Sequence, residues 1–257
     1  MLDDRLARFG PNVIGGSNGS GTRLLARIVR HGGMFIGTNL HPKSEDSKDF
    51  LRFGKRWTPE YKAAQTTPLS VTVLPEMVQD FEQFMKIHTA PLHSQPQPWG
   101  WKAPRAVVLL PFLHAQLPTL KFLHLVRDGR DMAFAYETHP KWNVQDTETY
   151  PRKAITLWRN VNLAAADYGE QQLGRRYLRV RFEDVCLNPE PHIAAILAFF
   201  DLTGDPKAIA RLEVHPPESI GRWRQRDELM RTDLERIGRE ALERFGYLAN
   251  TTMDVAT

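Results

Sequence analysis

Between residues 15 and 23 the chain reads Gly15-Gly16-Ser17-Asn18-Gly19-Ser20-Gly21-Thr22-Arg23, four glycines interleaved with hydroxyl and amide side chains. Glycine lets the backbone turn through positive φ, so successive N–H groups converge, and a helix starting at the end of such a loop adds positive potential. Together these make a cradle for an anion, phosphate above all. A plain turn joining a strand to a helix has a similar composition, but Ser20, Thr22 and Arg23 bring donors that such a turn does not need. A loop for the β and γ phosphates of ATP requires lysine directly after the last glycine. Gly16 and Gly21 keep that spacing, yet Thr22 stands in the lysine position. This speaks against an ordinary NTPase or kinase and suits a 5′-phosphate with no γ-phosphate clamp.

A second constellation is Phe122-Leu123-His124-Leu125-Val126 running into Arg127-Asp128-Gly129-Arg130-Asp131. A buried strand that ends in two arginines before a helix sets guanidinium groups at the carboxyl edge of a sheet, where ligands of open α/β folds bind. Taken alone, the same residues also fit an Arg/Asp network that caps the helix.

The elements that must hold these residues follow from periodicity. Val13 and Ile14 enter the loop as a strand, and Leu24, Leu25, Ile28 and Val29 leave it at helical spacing. Residues 32–67 are polar, broken by Gly and Pro and without sustained periodicity, which predicts a long connection able to carry substrate contacts. Val73, Met77, Phe81, Phe84 and Met85 predict a helix over 70–87, closed by the proline-rich stretch 91–98. Strands are expected at 99–102, 121–126 and 177–182. Helices are expected over 105–116, from Gly129, and over 152–172, in an α/β alternation. Asn188 and Pro189 suit the N-cap and first position of a helix reaching Phe200. Thr232-Asp233-Leu234-Glu235 has the form of a capping box for a last helix ending at Phe245, before Gly246. The expected fold is α/β: a central parallel sheet of P-loop-like topology with helices on both faces.

The chain has 257 residues, 42% hydrophobic and 25% charged, enough for one large α/β domain spanning 1–257. Residues 32–67 would form a substrate or lid segment within it. No apolar run approaches the ~20 residues of a membrane span, and the first ten residues are charged where a signal peptide would be apolar, so a cytoplasmic location is expected. Cys186, the one cysteine, cannot form an internal disulfide and reads as a buried thiol. The net charge of +4 suits anionic ligands. The basic residues are not clustered with aromatics, so no nucleic-acid partner is expected. The nine histidines show no metal-ligand spacing, and no metal site is expected.

Four segments, in order, resemble the PAPS-dependent sulfotransferases, particularly bacterial members, where PAPS is 3′-phosphoadenosine-5′-phosphosulfate. Residues 17–25 look like the family's 5′-phosphosulfate loop, and Trp101-Lys102-Ala103-Pro104 like its lysine motif. Residues 125–136 look like its 3′-phosphate motif, and Val180-Arg181-Phe182-Glu183-Asp184 with Asn188-Pro189 like its aromatic-Glu-Asp segment. Ile220-Gly221-Arg222-Trp223-Arg224 and Gly246-Tyr247 are similar to the ends of bacterial members. The resemblance implies that Ser17, Asn18, Gly19, Ser20, Gly21 and Thr22 hold the 5′-phosphate, with Arg23 adding charge, that Arg127 holds the 3′-phosphate, and that Phe182 stacks on adenine. It further implies Lys102 as the cation acting on the leaving phosphate. The base for a hydroxyl acceptor is sought at His41, then Asp46, with Glu45 beside them, because relatives often place theirs after the first helix. Two positions depart from the family pattern: Gly19, where many relatives have Lys or Arg, and Ala135, where many have Ser. The expected activity is transfer of a sulfuryl group from PAPS to a hydroxyl or amine of a small-molecule or glycan acceptor, without a metal. The alternatives are a nucleotide-dependent kinase and a non-catalytic binder of adenosine 3′,5′-bisphosphate.

Overall fold

A computed structural model describes residues 4–58, 72–135 and 149–248. At its centre four parallel strands stand in the order β2-β1-β3-β4: β1 (Asn12–Gly16), β2 (Gly100–Lys102), β3 (Lys121–Val126) and β4 (Tyr177–Arg181). Ile14 lies opposite Lys102, Gly16 opposite Leu125, and Val126 opposite Arg181. Because every strand runs the same way, all carboxyl ends meet at one edge. Lys102, the loop from Ser17, Arg127 and Phe182 are therefore delivered together from four separate parts of the sequence.

Side-chain alternation assigns the two faces. Val13, Trp101 and Phe122 point into one core, and Ile14, Leu123, Leu125 and Val180 into the other. The first is covered by α3 (Lys48–Trp57), α4 (Pro75–Thr89), α5 (Leu110–Gln116) and part of α7 (Thr149–Tyr168), following the short α1 (Asp4–Ala7). There Phe50, Phe53, Phe81, Phe84 and Trp101 make mutual ring contacts, with centroids 5.2 Å apart for Phe84 and Trp101. The second face is covered by α2 (Thr22–His31), α8 (Phe182–Leu187), α9 (Pro189–Phe199) and α10 (Pro206–Glu213). Beyond the sheet edge, α6 (Gly129–Met132), α7 and α11 (Glu228–Arg244) enclose a third cluster containing Trp158, Trp223, Leu234 and Phe245.

Several elements differ from the sequence expectations for local reasons. Residues 32–67 are not an unbroken irregular connection, because α3 lies inside them. Ser47 Oγ caps it by accepting from the Phe50 N–H at 3.3 Å, and Phe50 and Phe53 are buried. One and a half turns of apolar spacing was too little periodicity to be seen. The helix expected over 70–87 begins at Pro75 and ends at Thr89, while its first two expected positions lie outside the described residues. The helix expected over 105–116 is divided into a 3₁₀ turn at Pro104–Val107 and α5. Strand β4 stops at Arg181, and Phe182 opens α8, which the sequence reading missed. Asn188 precedes Pro189 as expected, although its side chain makes no capping bond. The last helix starts at Glu228, not Thr232: Asp227 Oδ1 accepts from the Met230 N–H at 2.9 Å, so the Thr-Asp-Leu-Glu box lies within the helix. Gly246, at φ 74°, ends it. The Cys186 thiol is buried, and desolvation pushes its pKa up to about 11. Among the described residues no helix is long and apolar enough to cross a membrane, and no group of three His, Cys, Asp or Glu is placed to hold a metal ion.

Candidate active site

From β1 the chain turns at Ser17, whose carbonyl accepts the Ser20 N–H at 3.0 Å. Gly19 and Gly21 take φ of 88° and 98°, a region that L side chains rarely enter. Gly21 is further constrained by contact, since a Cβ there would lie 2.3 Å from the Phe182 ring. At Gly19 the positive φ is one that glycine adopts without strain. Helix α2 begins at Thr22 with no acidic residue in its first turn and no side-chain N-cap, so its leading N–H groups and dipole are left for an anion. Ser20 Oγ is buried with no hydrogen-bond partner among the described residues. An orphan buried hydroxyl in a glycine cradle is what a missing phosphate oxygen would leave.

The two arginines after β3 have different fates. Arg130 is spent internally. Its guanidinium binds Asp128 through two bonds of 3.0 and 2.8 Å, reaches Glu235 at 2.8 Å and the Tyr247 carbonyl at 3.0 Å, and lies 3.7 Å over the Trp223 ring. Arg127 is also buried but has fewer partners. Its Nη2 donates to Ser219 Oγ at 2.9 Å, its guanidinium carbon lies 4.8 Å from the Phe182 ring centroid, and its Nε has no partner among the described residues. The turn that carries it is fastened by Glu183, which accepts from the Asp128 N–H at 3.0 Å and from the Tyr247 hydroxyl at 2.7 Å. Burial raises the pKa of both the Glu183 carboxyl and the Tyr247 phenol. Asp131 accepts the N–H groups of Gly221 at 2.7 Å and Trp223 at 3.1 Å, which draws the 220–224 segment onto the site.

Phe182 is only 5% exposed. Its ring lies against Gly21 on one side and under the Arg127 guanidinium, with the guanidinium carbon 4.8 Å from the ring centroid.

On the other side of the loop, Lys102 is buried, with 1% of its side chain exposed. Its ammonium donates to Asp46 Oδ1 at 2.5 Å and to the Ser44 carbonyl, and Ser44 Oγ donates to Asp46 Oδ2 at 2.5 Å. Desolvation lowers the lysine's pKa, while the Asp46 charge and hydrogen bond act in the opposite sense. The structure thus joins Lys102 and Asp46, expected in separate roles, into one ion pair. Glu45 is also engaged, binding Arg27 at 2.8 Å and Arg30 at 3.3 Å. His41 Nδ1 accepts from the Lys43 and Ser44 N–H groups at 3.3 and 3.2 Å. A neutral ring held this way carries its proton on Nε2, which makes that nitrogen a donor. Arg23, expected beside the phosphate, donates to the Lys43 carbonyl at 2.8 Å and ties α2 to the 41–46 turn.

The sequence reading missed Ser219, Glu183 and Tyr247 as supports of Arg127 and its turn. The 220–224 and 246–247 similarity was the available signal. It also missed Asn162, whose Nδ2 donates to Ser17 Oγ at 3.0 Å and which no motif marks.

The description "Sulfotransferase family" matches residues 11–206 of this chain. No curated protein sequence matches it. Among solved structures, the sulfotransferase from Alicyclobacillus acidocaldarius superposes with a TM-score of 0.58 at 16% identity, over 93% of this chain and 95% of that one. The sulfotransferase domain of the Synechococcus PCC 7002 olefin synthase gives 0.55 at 18% identity, over 90% and 94%. Mouse sulfotransferase SULT7A1, solved in complex with PAP, gives 0.56 at 13% identity, over 93% and 89%. These likenesses establish a shared fold.

Proposed function

The chain belongs to the sulfotransferase family, and from that premise we propose that it transfers a sulfuryl group from PAPS to a hydroxyl or amine of a small-molecule or glycan acceptor. The observation that carries the donor assignment is a pair of orphaned buried polar groups, Ser20 Oγ in the glycine cradle and Arg127 Nε beyond Phe182. They suit a ligand with phosphates at two ends. Ser17 to Thr22 would hold the 5′-phosphate by backbone and hydroxyl donors, and Arg127, steadied by Ser219, the 3′-phosphate. PAPS supplies the sulfuryl group and a stable bisphosphate leaving group.

The protein's own contribution is electrostatic and positional. Charge builds on the bridging oxygen as the sulfuryl group departs, and fixed cations and donors there lower the barrier. An ammonium has three N–H donors, and two of Lys102's are taken by Asp46 and Ser44. The third remains for the leaving oxygen, while Asp46 keeps the buried amine cationic. Side-chain cations therefore supply the charge, and the proposed transfer calls for no metal. His41 Nε2–H would orient the acceptor from the 41–46 turn. The residues act as one domain, with 32–58 forming its acceptor side while 59–67 lie outside the described residues, in a protein working in the cytoplasm without nucleic acid.

Calorimetric titration with adenosine 3′,5′-bisphosphate and with ATP, followed by turnover of labelled PAPS, tests this. Bisphosphate should bind and ATP should not compete, and Arg127→Met should weaken the bisphosphate at least tenfold while adenosine 5′-phosphate is little affected. A preference for ATP would support a kinase. Bisphosphate binding without turnover of PAPS against a broad acceptor set would support a non-catalytic binder. Unchanged binding in a folded Arg127→Met would remove Arg127 from the 3′-phosphate.

A further inference from the structure

Behind the glycine loop four side chains from four elements form a continuous hydrogen-bonded row. Ser17 Oγ lies 3.0 Å from Asn162 Nδ2, Asn162 Oδ1 lies 2.9 Å from His124 Nε2, and His124 Nδ1 lies 2.7 Å from the Tyr177 hydroxyl. Asn162 on α7 and His124 on β3 are wholly buried, and none of the other three residues has a role in the donor site described above. Read singly, each contact could run either way, because an amide can be turned over and a neutral imidazole has two tautomers.

One further contact removes that freedom. Asn162 Nδ2 also lies 2.6 Å from the Trp158 carbonyl oxygen, which can only accept. The amide nitrogen must face Trp158, so Oδ1 faces His124 and requires its proton on Nε2. Nδ1 of the neutral ring then accepts from Tyr177. Burial keeps the ring neutral, with its pKa pushed down to about 4, and the Tyr177 phenol is likewise held protonated by burial. At the other end, the second N–H of the Asn162 amide donates to Ser17 Oγ. That oxygen is thereby occupied as an acceptor, and its own proton is directed away from Asn162. The same turn of α7 reaches the second anion-binding part, since Trp158 Nε1 donates to the Arg127 carbonyl at 3.0 Å.

From this geometry we infer that Asn162 is a positioning residue, polarised by the Trp158 carbonyl and His124, which commits the Ser17 hydroxyl to donate to the 5′-phosphate of the donor nucleotide. The inference rests on the sulfotransferase donor site proposed above. It adds a specificity determinant to that site from a core residue outside every motif.

The test is a double-mutant cycle on Ser17→Ala and Asn162→Ala, with affinities measured for adenosine 3′,5′-bisphosphate and for adenosine 3′-phosphate, which lacks the 5′-phosphate. A hydrogen bond to a charged group corresponds to roughly a 10- to 100-fold change in affinity. Each single variant should lose bisphosphate affinity by about that factor, the double variant should lose no more than Ser17→Ala alone, and 3′-phosphate affinity should stay within about twofold. Asn162→Asp, nearly isosteric, provides a second variant if the alanine change prevents folding. Its oxygen would capture the Ser17 proton, so the bisphosphate loss should be at least as large and should shrink when Ser17 is already alanine. Fully additive losses, or equal losses for both ligands, would show Asn162 to be merely structural and overturn the inference. If wild type binds neither ligand, the donor-site reading itself fails, a result distinct from all of these.

Discussion

Asp46→Asn removes one charge from a pair whose other member cannot reach water: the Lys102 side chain is 1% exposed and that of Asp46 11%. Breaking a buried ion pair by deleting one partner costs about 3–5 kcal/mol, because the remaining charge is left desolvated and unpaired. Against a total stability of order 5–15 kcal/mol for a domain, that is about a fifth or more of the whole. The loss should depend on pH in a defined direction. Burial already lowers the Lys102 pKa, and Asp46 opposes that shift. Without Asp46 the folded amine gives up its proton at a still lower pH, whereas the unfolded lysine keeps its proton up to its ordinary value of about 10.5. The unfolded variant thus binds more protons than the folded one as pH rises towards 10.5, and the variant gains stability relative to wild type over that interval. Urea unfolding of wild type, Asp46→Asn, Lys102→Met and the double variant at pH 7 and 9.5 reads this directly. The double variant should recover most of the Asp46→Asn loss, and the gap between Asp46→Asn and wild type should narrow at pH 9.5. The recovered protein should still fail to turn over PAPS, separating the catalytic from the structural use of Lys102. A loss under about 1 kcal/mol at pH 7, or a gap that widens with pH, would refute the reasoning.

Two further outcomes follow from the hydrogen bonding. His88 and His124 are both buried, with pKa values pushed down to about 4, and the unfolded imidazoles titrate near 6.5. Their contribution to stability is present above pH 6.5 and is lost as pH falls towards 4, at about 2–3 kcal/mol per ring by pH 4.5. A melting temperature that stays flat from pH 7 to 4.5 would contradict it. At His41, the backbone-accepting Nδ1 predicts that His41→Asn, whose Oδ1 can accept the same N–H groups, keeps most of the turnover. His41→Ala should lose it to the same degree for acidic phenols and for ordinary alcohols. A loss in both variants confined to ordinary alcohols would restore His41 as the base.

How much of this could be read from the chain depends on the kind of signal. Strand β3 and the loop from Ser17 to Thr22 were legible because apolar runs and glycine spacing are local properties, and parallel topology then places Lys102, Arg127 and Phe182 on one edge. Partnerships were not legible. Nothing in the sequence near Lys102 announces that Asp46 will neutralise it, because the pairing depends on a turn 56 residues earlier. Helix α3 was missed because Phe50 and Phe53 give too short a pattern to stand above its charged neighbours, although Ser47 in front of it was a usable cap signal. Thr232 was read as the start of the last helix because Thr-Asp-Leu-Glu has the form of a capping box. In the structure Asp227 caps the helix about one turn before Thr232. Residue type alone does not tell Arg127 from Arg130; the family resemblance points to Arg127, and the packing of Trp223, Glu235 and the Tyr247 carbonyl about Arg130 shows how the second arginine is used.

Arg127 and its turn draw their supports from residues far along the chain, and this has a consequence for where the protein could be cut. The family match ends at residue 206, after every strand has been made. Ser219, Glu235 and Tyr247 all come later, and they hold Arg127, Arg130 and Glu183 respectively. A chain trimmed at the match limit would lose Ile209 and Ala210 from the second core and Trp223, Leu234 and Phe245 from the third, and would leave one guanidinium without its hydroxyl and another with a carboxylate missing. The segment after 206 therefore serves the core and the donor site together. Fusions, truncations and domain transplants should therefore retain the chain through Tyr247 and not stop at 206.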